Sequence, residues 1–163
     1  MRYHNITKDD MLNGEGLRTV LWVAGCSHHC PQCHNPVTWD INGGLVFDEQ
    51  AKEELFEELK KDYVSGVTFS GGDPLHLENR EEIGALAKEI REKFPDKTIW
   101  LYTGYEWEEI CHLSFLFNID VIVDGKFKIE EKDNNLHWKG SANQRVIDVK
   151  ASLRAGEVRL YQE

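Results

Sequence analysis

Four short apolar runs restrict what this chain can fold into. Residues 17–23, 66–70, 98–102 and 120–123 are rich in β-branched and aromatic side chains, the composition of strands. Each run ends in a polar loop: the cysteine-bearing stretch that starts at Gly25-Cys26, then Gly71-Gly72-Asp73, Thr103-Gly104, and Asp124-Gly125-Lys126. Helical patterns lie between them. Asp48 can cap a helix running to about Lys61, with Ala51, Leu55, Phe56 and Leu59 on one face. Asn79 followed by Glu82 reads as a capping box, and Ile83, Leu86, Ala87, Ile90 and Phe94 recur at helical spacing until Pro95 stops them. A short helix starts near Glu106.

Strand, loop and helix repeated in this way predict βα units on a parallel sheet with the helices outside. Right-handed crossovers then bring the four loops to one rim, where sites of βα barrels collect. There are too few units to close an eight-fold barrel, so the expected architecture is α/β, a partial, open βα barrel. A single domain over residues 1–163 is expected, with an irregular tail from about residue 137. Within that tail, 146–149 and 157–161 read as late strands joined by a turn at 152–156. Residues 1–16 read as an irregular lead-in containing the turn Asn13-Gly14-Glu15-Gly16.

The first of the four loops carries the chemistry. Cys26, Cys30 and Cys33 fall within eight residues, spaced by three and then two intervening positions. Ser27, His28, His29, Pro31 and Gln32 between them are not a buried apolar run. Three thiolates on one loop make a metal or cluster site that is one protein ligand short of four. A structural zinc site closes all four positions, and iron–sulfur clusters are held by cysteine thiolates. Spacing alone therefore leaves two readings: an open cluster, or zinc completed by His28, His29 or His34. Cys111 is the one other cysteine, and nothing in the sequence resembles a secretory signal, so a disulfide framework is disfavoured and a reducing cytoplasm is expected. On its short helix Cys111 reads as a buried apolar residue. His28 and His29, lying between the ligands, read as rim groups beside the site.

The net charge of −10 lacks the basic footprint of a nucleic-acid surface. No apolar run reaches the length of a membrane span. Gly71-Gly72 offers bare main chain that another group can approach closely, and Asp73 offers a carboxylate suited to an ammonium. Lys126 is a counterpart for a carboxylate. On one rim beside an open metal corner, they match the two charged ends of an amino acid. Trp39, Trp100 and Tyr102 read as packing, whereas Asn143 and Arg145 could reach a ligand or partner.

The cysteine spacing, with a glycine-rich acidic turn after the next strand, resembles the radical S-adenosylmethionine superfamily. Asn13-Gly-x-Gly-x-Arg18, Gly25-Cys26, Cys33-His34-Asn35 and Thr38-Trp39 resemble the glycyl-radical-enzyme activases. Among these, Ser70-Gly-Gly-Asp-Pro-Leu75, Thr103-Gly-Tyr105, Val123-Asp-Gly-Lys-Phe127 and Gly140-Ser-x-Asn-Gln-Arg145 are similar to the subgroup that acts on anaerobic ribonucleoside-triphosphate reductase. The resemblance implies one 4Fe–4S cluster per chain on Cys26, Cys30 and Cys33, with S-adenosylmethionine chelated at the fourth iron. It implies that Gly71, Gly72 and Asp73, with Thr103 beside them, seat the amino end and Lys126 the carboxylate. Asn35 and the main chain of Gln32, Cys33 and His34 would lie along the adenosyl part. Gln32 departs from the aromatic residue that the superfamily often carries there. The implied reaction is one-electron cleavage of the sulfonium, giving methionine and a 5′-deoxyadenosyl radical that takes a hydrogen atom from a glycine. The implied partners are the large reductase subunit, which would close the open site, and a low-potential electron donor such as flavodoxin. The resemblance leaves room for another glycyl radical enzyme, such as pyruvate formate-lyase, as the target.

Overall fold

The computed structural model of the protein describes residues 1–31, 33 and 36–162. Its frame is one open sheet of seven strands: β1 (Arg2–Asp10), β2 (Arg18–Val23), β3 (Leu45–Val46), β4 (Gly66–Gly71), β5 (Thr98–Tyr102), β6 (Val121–Asp124) and β7 (Arg145–Asp148). Their spatial order is β3-β1-β2-β4-β5-β6-β7. The strands β2, β4, β5 and β6 run parallel, in register from Arg18↔Gly66 through Thr68↔Trp100 to Trp100↔Val121. These correspond to the four apolar runs. The sheet as a whole is mixed, however, because β1, β3 and β7 are antiparallel to their neighbours.

Two expectations are corrected. Within the stretch expected to be an irregular lead-in lies β1, whose nine residues include only one buried side chain, Ile6. A strand that lies near the sheet's edge and presents polar groups leaves little apolar period to read. In the tail, the expected strand at 146–149 is β7, which starts one residue earlier, but the expected turn is a helix, α4 (Val149–Ala155), capped by Asp148 and ended by Gly156 in the left-handed region. The later stretch touches the sheet through an isolated bridge, Ile147↔Leu160.

Helices α1 (Glu49–Leu59), α2 (Arg80–Lys93) and α3 (Trp107–Ile110) make the crossovers. Asp48 caps α1 by accepting the Ala51 N–H at 2.9 Å. Strand alternation sorts the interior into two layers. Leu21, Val23, Val67, Phe69, Ile99, Leu101 and Ile122 face the helices and pack with Leu55, Leu59, Ile83, Leu86 and Ile90. Trp100, Val121 and Val123 face the other way, under Tyr102, Trp138 and Tyr161. No helix among the described residues is long and apolar enough to cross a membrane.

The second layer also contains Arg18, which is fully buried. Its guanidinium donates to Thr68 Oγ1 (2.9 Å), the carbonyls of Glu15 (3.0 Å), Val67 (2.8 Å) and Thr98 (2.8 Å), and Thr98 Oγ1 (2.8 Å). Those acceptors are uncharged, and burial pushes the Arg18 pKa down to about 10. Thr68 in turn donates to the Asn13 carbonyl at 2.6 Å. Arg18 and Thr68 together hold the Asn13–Arg18 turn against the sheet.

Candidate cofactor-binding site

The parallel register places the polar loops side by side at one end of the sheet, as the βα pattern requires. The base of the cysteine loop is fixed by main-chain bonds from Gly25 N–H to Thr38 O (2.7 Å) and from Cys26 N–H to Trp39 O (3.1 Å). The loop after β4 is fastened to it through Gly72 N–H to Val23 O (2.9 Å) and Asp73 N–H to Gly25 O (2.7 Å). A Cβ on Gly72 would lie 2.6 Å from Gly25 O and 2.7 Å from Thr38 O. The group that approaches this glycine so closely is the cysteine loop's own main chain.

Asp73 is buried and its carboxylate is the meeting point of three loops. Oδ2 accepts from Thr103 Oγ1 (3.0 Å) and the Gly104 N–H (2.9 Å), and lies 2.7 Å from His28 Nε2. Oδ1 accepts the Leu75 N–H at 2.9 Å. The acid expected to face an ammonium is thus engaged by protein donors, and His28 ties the cysteine loop to it. His28 also sits edge-on to Tyr105, with ring centroids 4.6 Å apart. Asn79, expected to cap α2, makes no such cap bond. Its buried Nδ2 instead donates to Ala24 O (2.9 Å) and Asp73 O (3.3 Å), bracing the strand end beneath the cysteines.

These loops surround a cavity of about 330 Å³, at the lower end of small-molecule sites. Cys26, Cys30 and Cys33 line it with Ser70, Gly71, Gly72, Asp73 and Thr103. The wall also includes His28, Gly104, Phe127 and Tyr102, together with Trp22 and Gln144, which the sequence did not single out for it. Tyr102 combines lining with packing, donating its hydroxyl to Trp138 O at 2.6 Å. Gln32, His34 and Asn35 lie outside the described residues. Lys126 is exposed and not part of the wall, although its charge reaches Cys30. Asn143 and Arg145 bind neighbouring protein groups, the Lys126 carbonyl and the Asp124 carboxylate. Cys111 is exposed, correcting the buried reading.

The three cavity cysteines are half-buried and not joined in disulfides. Burial pushes the Cys26 thiol up to about 11, against main-chain N–H bonds from His28 and His29 that favour the thiolate. Cys30 is likewise raised by burial, while the Phe127 N–H and Lys126 pull it down. Main-chain N–H groups turned toward sulfur are a donor set suited to thiolates that carry iron. Among the described residues no three His, Cys, Asp or Glu side chains form a group able to hold a single metal ion. Three cysteines lining one cavity are a donor set that fits an iron–sulfur cluster.

A family model described as a 4Fe-4S single cluster domain matches residues 12–147. The chain is 44% identical over 146 residues to the anaerobic ribonucleoside-triphosphate reductase-activating protein of Enterobacteria phage T4, covering 90% of this chain and 93% of that one. It is 41% identical to the protein of the same description from Salmonella typhimurium and 40% identical to that from Escherichia coli, in each case covering 90% of this chain and 97% of the relative.

Proposed function

The chain belongs to the 4Fe-4S single cluster domain family and to the anaerobic ribonucleoside-triphosphate reductase-activating proteins, and on that premise we propose that it is an activase that installs a glycyl radical on that reductase. The open sheet is read as a partial barrel of the radical S-adenosylmethionine type. Cys26, Cys30 and Cys33 would each hold one iron of a 4Fe–4S cluster and leave the fourth iron to S-adenosylmethionine. When bound, the cluster and S-adenosylmethionine supply a one-electron reductive cleavage that ends in a hydrogen atom being taken from a glycine of the reductase. A low-potential donor such as flavodoxin, in a reducing cytoplasm, would provide the electron.

The chain's own residues bind, orient and shield. Gly71 and Gly72 put main chain on the cavity wall next to the cysteines, where the amino end of the ligand would rest. Asp73 works from beneath, holding Thr103, Gly104 and His28 in place and lending negative charge to that corner. Lys126 would meet the ligand carboxylate, and Gln32, His34 and Asn35 the adenosyl part. Trp22 and Tyr102 add aromatic surface to the cavity wall and would help to exclude water from a bound cluster. The cavity opens to the outside, as it must when the substrate is a glycine on another protein's loop. The reductase would provide the missing wall.

The observation that carries this reading is that three cysteines outside any disulfide share one cavity wall with Gly71 and Gly72. Anaerobic reconstitution with iron and sulfide tests it. A visible absorption bleached by dithionite, an electron paramagnetic resonance signal altered by S-adenosylmethionine, and a glycyl radical formed only with the reductase are expected. A colourless protein with one zinc per chain would overturn it. A radical raised on a pyruvate formate-lyase but not on the reductase would reassign the target. Cleavage with turnover of a small molecule, without a protein partner, would refute the activase role.

A further inference from the structure

The segment Gly140–Arg145 grips the loop after β6 residue by residue. Arg145 binds Asp124 through Nε (3.1 Å) and Nη2 (2.6 Å). Gln144 Nε2 donates to Gly125 O at 2.9 Å, and Asn143 Nδ2 to Lys126 O at 2.8 Å. Ser141 Oγ accepts the Lys128 N–H at 3.2 Å. Four side chains of one segment thus meet four positions of the other in reverse order. The strand ladder has ended at Asp124, so the carbonyls beyond it need partners from elsewhere.

Both amide side chains are used at each end. Gln144 Oε1 accepts the N–H groups of Gly140 (2.9 Å) and Ser141 (3.1 Å) while its Nε2 reaches across. Asn143 Oδ1 accepts the Ser141 hydroxyl at 2.6 Å while its Nδ2 reaches across. Only a group with a donor and an acceptor at fixed separation can do both. The gripped loop faces the site: Gly125, Phe127, Gly140 and Gln144 share the cavity wall with the three cysteines. The Phe127 main chain comes close enough to Cys30 to favour its thiolate, and both residues line the cavity.

We propose that residues 141–145 form a clasp that sets the 125–128 loop against the cysteine cavity, making Asn143 and Gln144 positioning residues for the Cys30 side of the site. The clasp stands on its own geometry, and its consequence for the site rests on the proposed cluster. Hydrogen bonds to cluster sulfurs tune the reduction potential, so holding the Phe127 amide at Cys30 is a lever on electron entry. The same hold fixes where Lys126 leaves the main chain.

The test has two arms, using the full chain carrying Asn143→Ala, Gln144→Ala or Gln144→Glu. In the metal-free protein, hydrogen exchange over residues 125–128 should accelerate about tenfold in all three, with α1 and α2 unchanged. Gln144→Glu keeps the acceptor for Gly140 and Ser141 but loses the donor to Gly125, so wild-type exchange in that variant alone would exclude the cross-loop bond. In the reconstituted protein, iron per chain should match wild type, while the cluster's midpoint potential moves to more negative values and S-adenosylmethionine binds several-fold more weakly. Unchanged local exchange, or faster exchange spread over the whole chain, overturns the clasp. Faster local exchange with an unmoved potential and unmoved affinity overturns its positioning role. If the wild-type protein takes up no cluster, the functional reading fails, and the exchange arm still decides the clasp.

Discussion

His28 Nε2 lies 2.7 Å from Asp73 Oδ2, with side-chain exposures of 6% and 1%. The contact joins the loop that carries the cysteines to the loop after β4. A histidine placed between two of the cavity cysteines is thereby a strut, and the aspartate is the node to which it and Thr103 are tied. Replacing His28 by Ala removes one of four donors from a buried carboxylate, a loss of about 1–3 kcal/mol. For a chain of this size each kcal/mol lowers Tm by roughly 2–4 °C. Thermal unfolding of the metal-free variant should show that drop, and iron should be lost more readily on desalting after reconstitution. A His28→Ala protein with wild-type Tm and iron content would remove the strut.

Gly104 is the floor on which the His28 ring rests. A Cβ there would come within 2.4 Å of His28 Cδ2 and 2.7 Å of Nε2. The ring cannot swing aside, because Asp73 holds one edge and Tyr105 packs against it. Gly104→Ala should therefore cost about 1–3 kcal/mol, the usual range for overpacking, and lower iron retention in the same manner as His28→Ala. The double variant should cost less than the sum of the two, since removing the ring makes room for the methyl group. Additive losses in denaturant titrations would show that the two residues do not share one contact.

How much of this is legible in the sequence depends on what each residue does. The apolar runs of β2, β4, β5 and β6 are buried on both faces, so their character survives in the sequence and the parallel core was legible. The strand β1 was not, because a polar segment joins the sheet through main-chain bonds that any side chain allows. The three cysteines announced themselves by spacing, and their sharing of a cavity with Gly71 and Gly72 follows from parallel register. Asp73 and Asn79 were legible as residues of interest but not in their partners. The bond from His28 to Asp73 spans 45 positions and that from Asn79 to Ala24 spans 55, and no local pattern encodes such separations. Asn79 reads as a cap because the same side chain that caps a helix can brace a carbonyl elsewhere.

Asn79 gives a prediction in which a near-isostere fails. Nδ2 donates to Ala24 O, just past the end of β2, and to Asp73 O in the loop after β4. In Asn79→Asp an oxygen takes the place of that donor and faces both carbonyls, so the variant should be at least as damaging as Asn79→Ala. Loss of the donor should cost about 1–3 kcal/mol. Equilibrium urea unfolding of the metal-free proteins measures this, with m unchanged if only the native contact is affected. An Asn79→Asp protein of wild-type stability would mean the amide is not the brace.

Arg145 gives the prediction with a defined pH dependence. Asp124 is 1% exposed and accepts from Arg145 Nε, Nη2 and main-chain N–H and from the Trp107 N–H at 2.8 Å. Bonding to Asp124, followed by bonding to Glu108, raises the Arg145 pKa well above the ordinary arginine value. A base whose folded pKa is raised contributes its stability in full below the unfolded value and loses it only as pH climbs through the raised one. The contribution is therefore constant through the neutral range. Arg145→Met strands a buried carboxylate with its two main-chain partners, which should cost about 3 kcal/mol, the low end for a broken buried pair because the arginine side is partly exposed to water. Arg145→Lys should recover part of that, since a single ammonium replaces a planar fork. Denaturant titrations at several pH values around neutrality should give parallel deficits. A deficit for Arg145→Met that grows or vanishes between mildly acidic and mildly alkaline buffer would show that another group, not the arginine, governs this corner of the clasp.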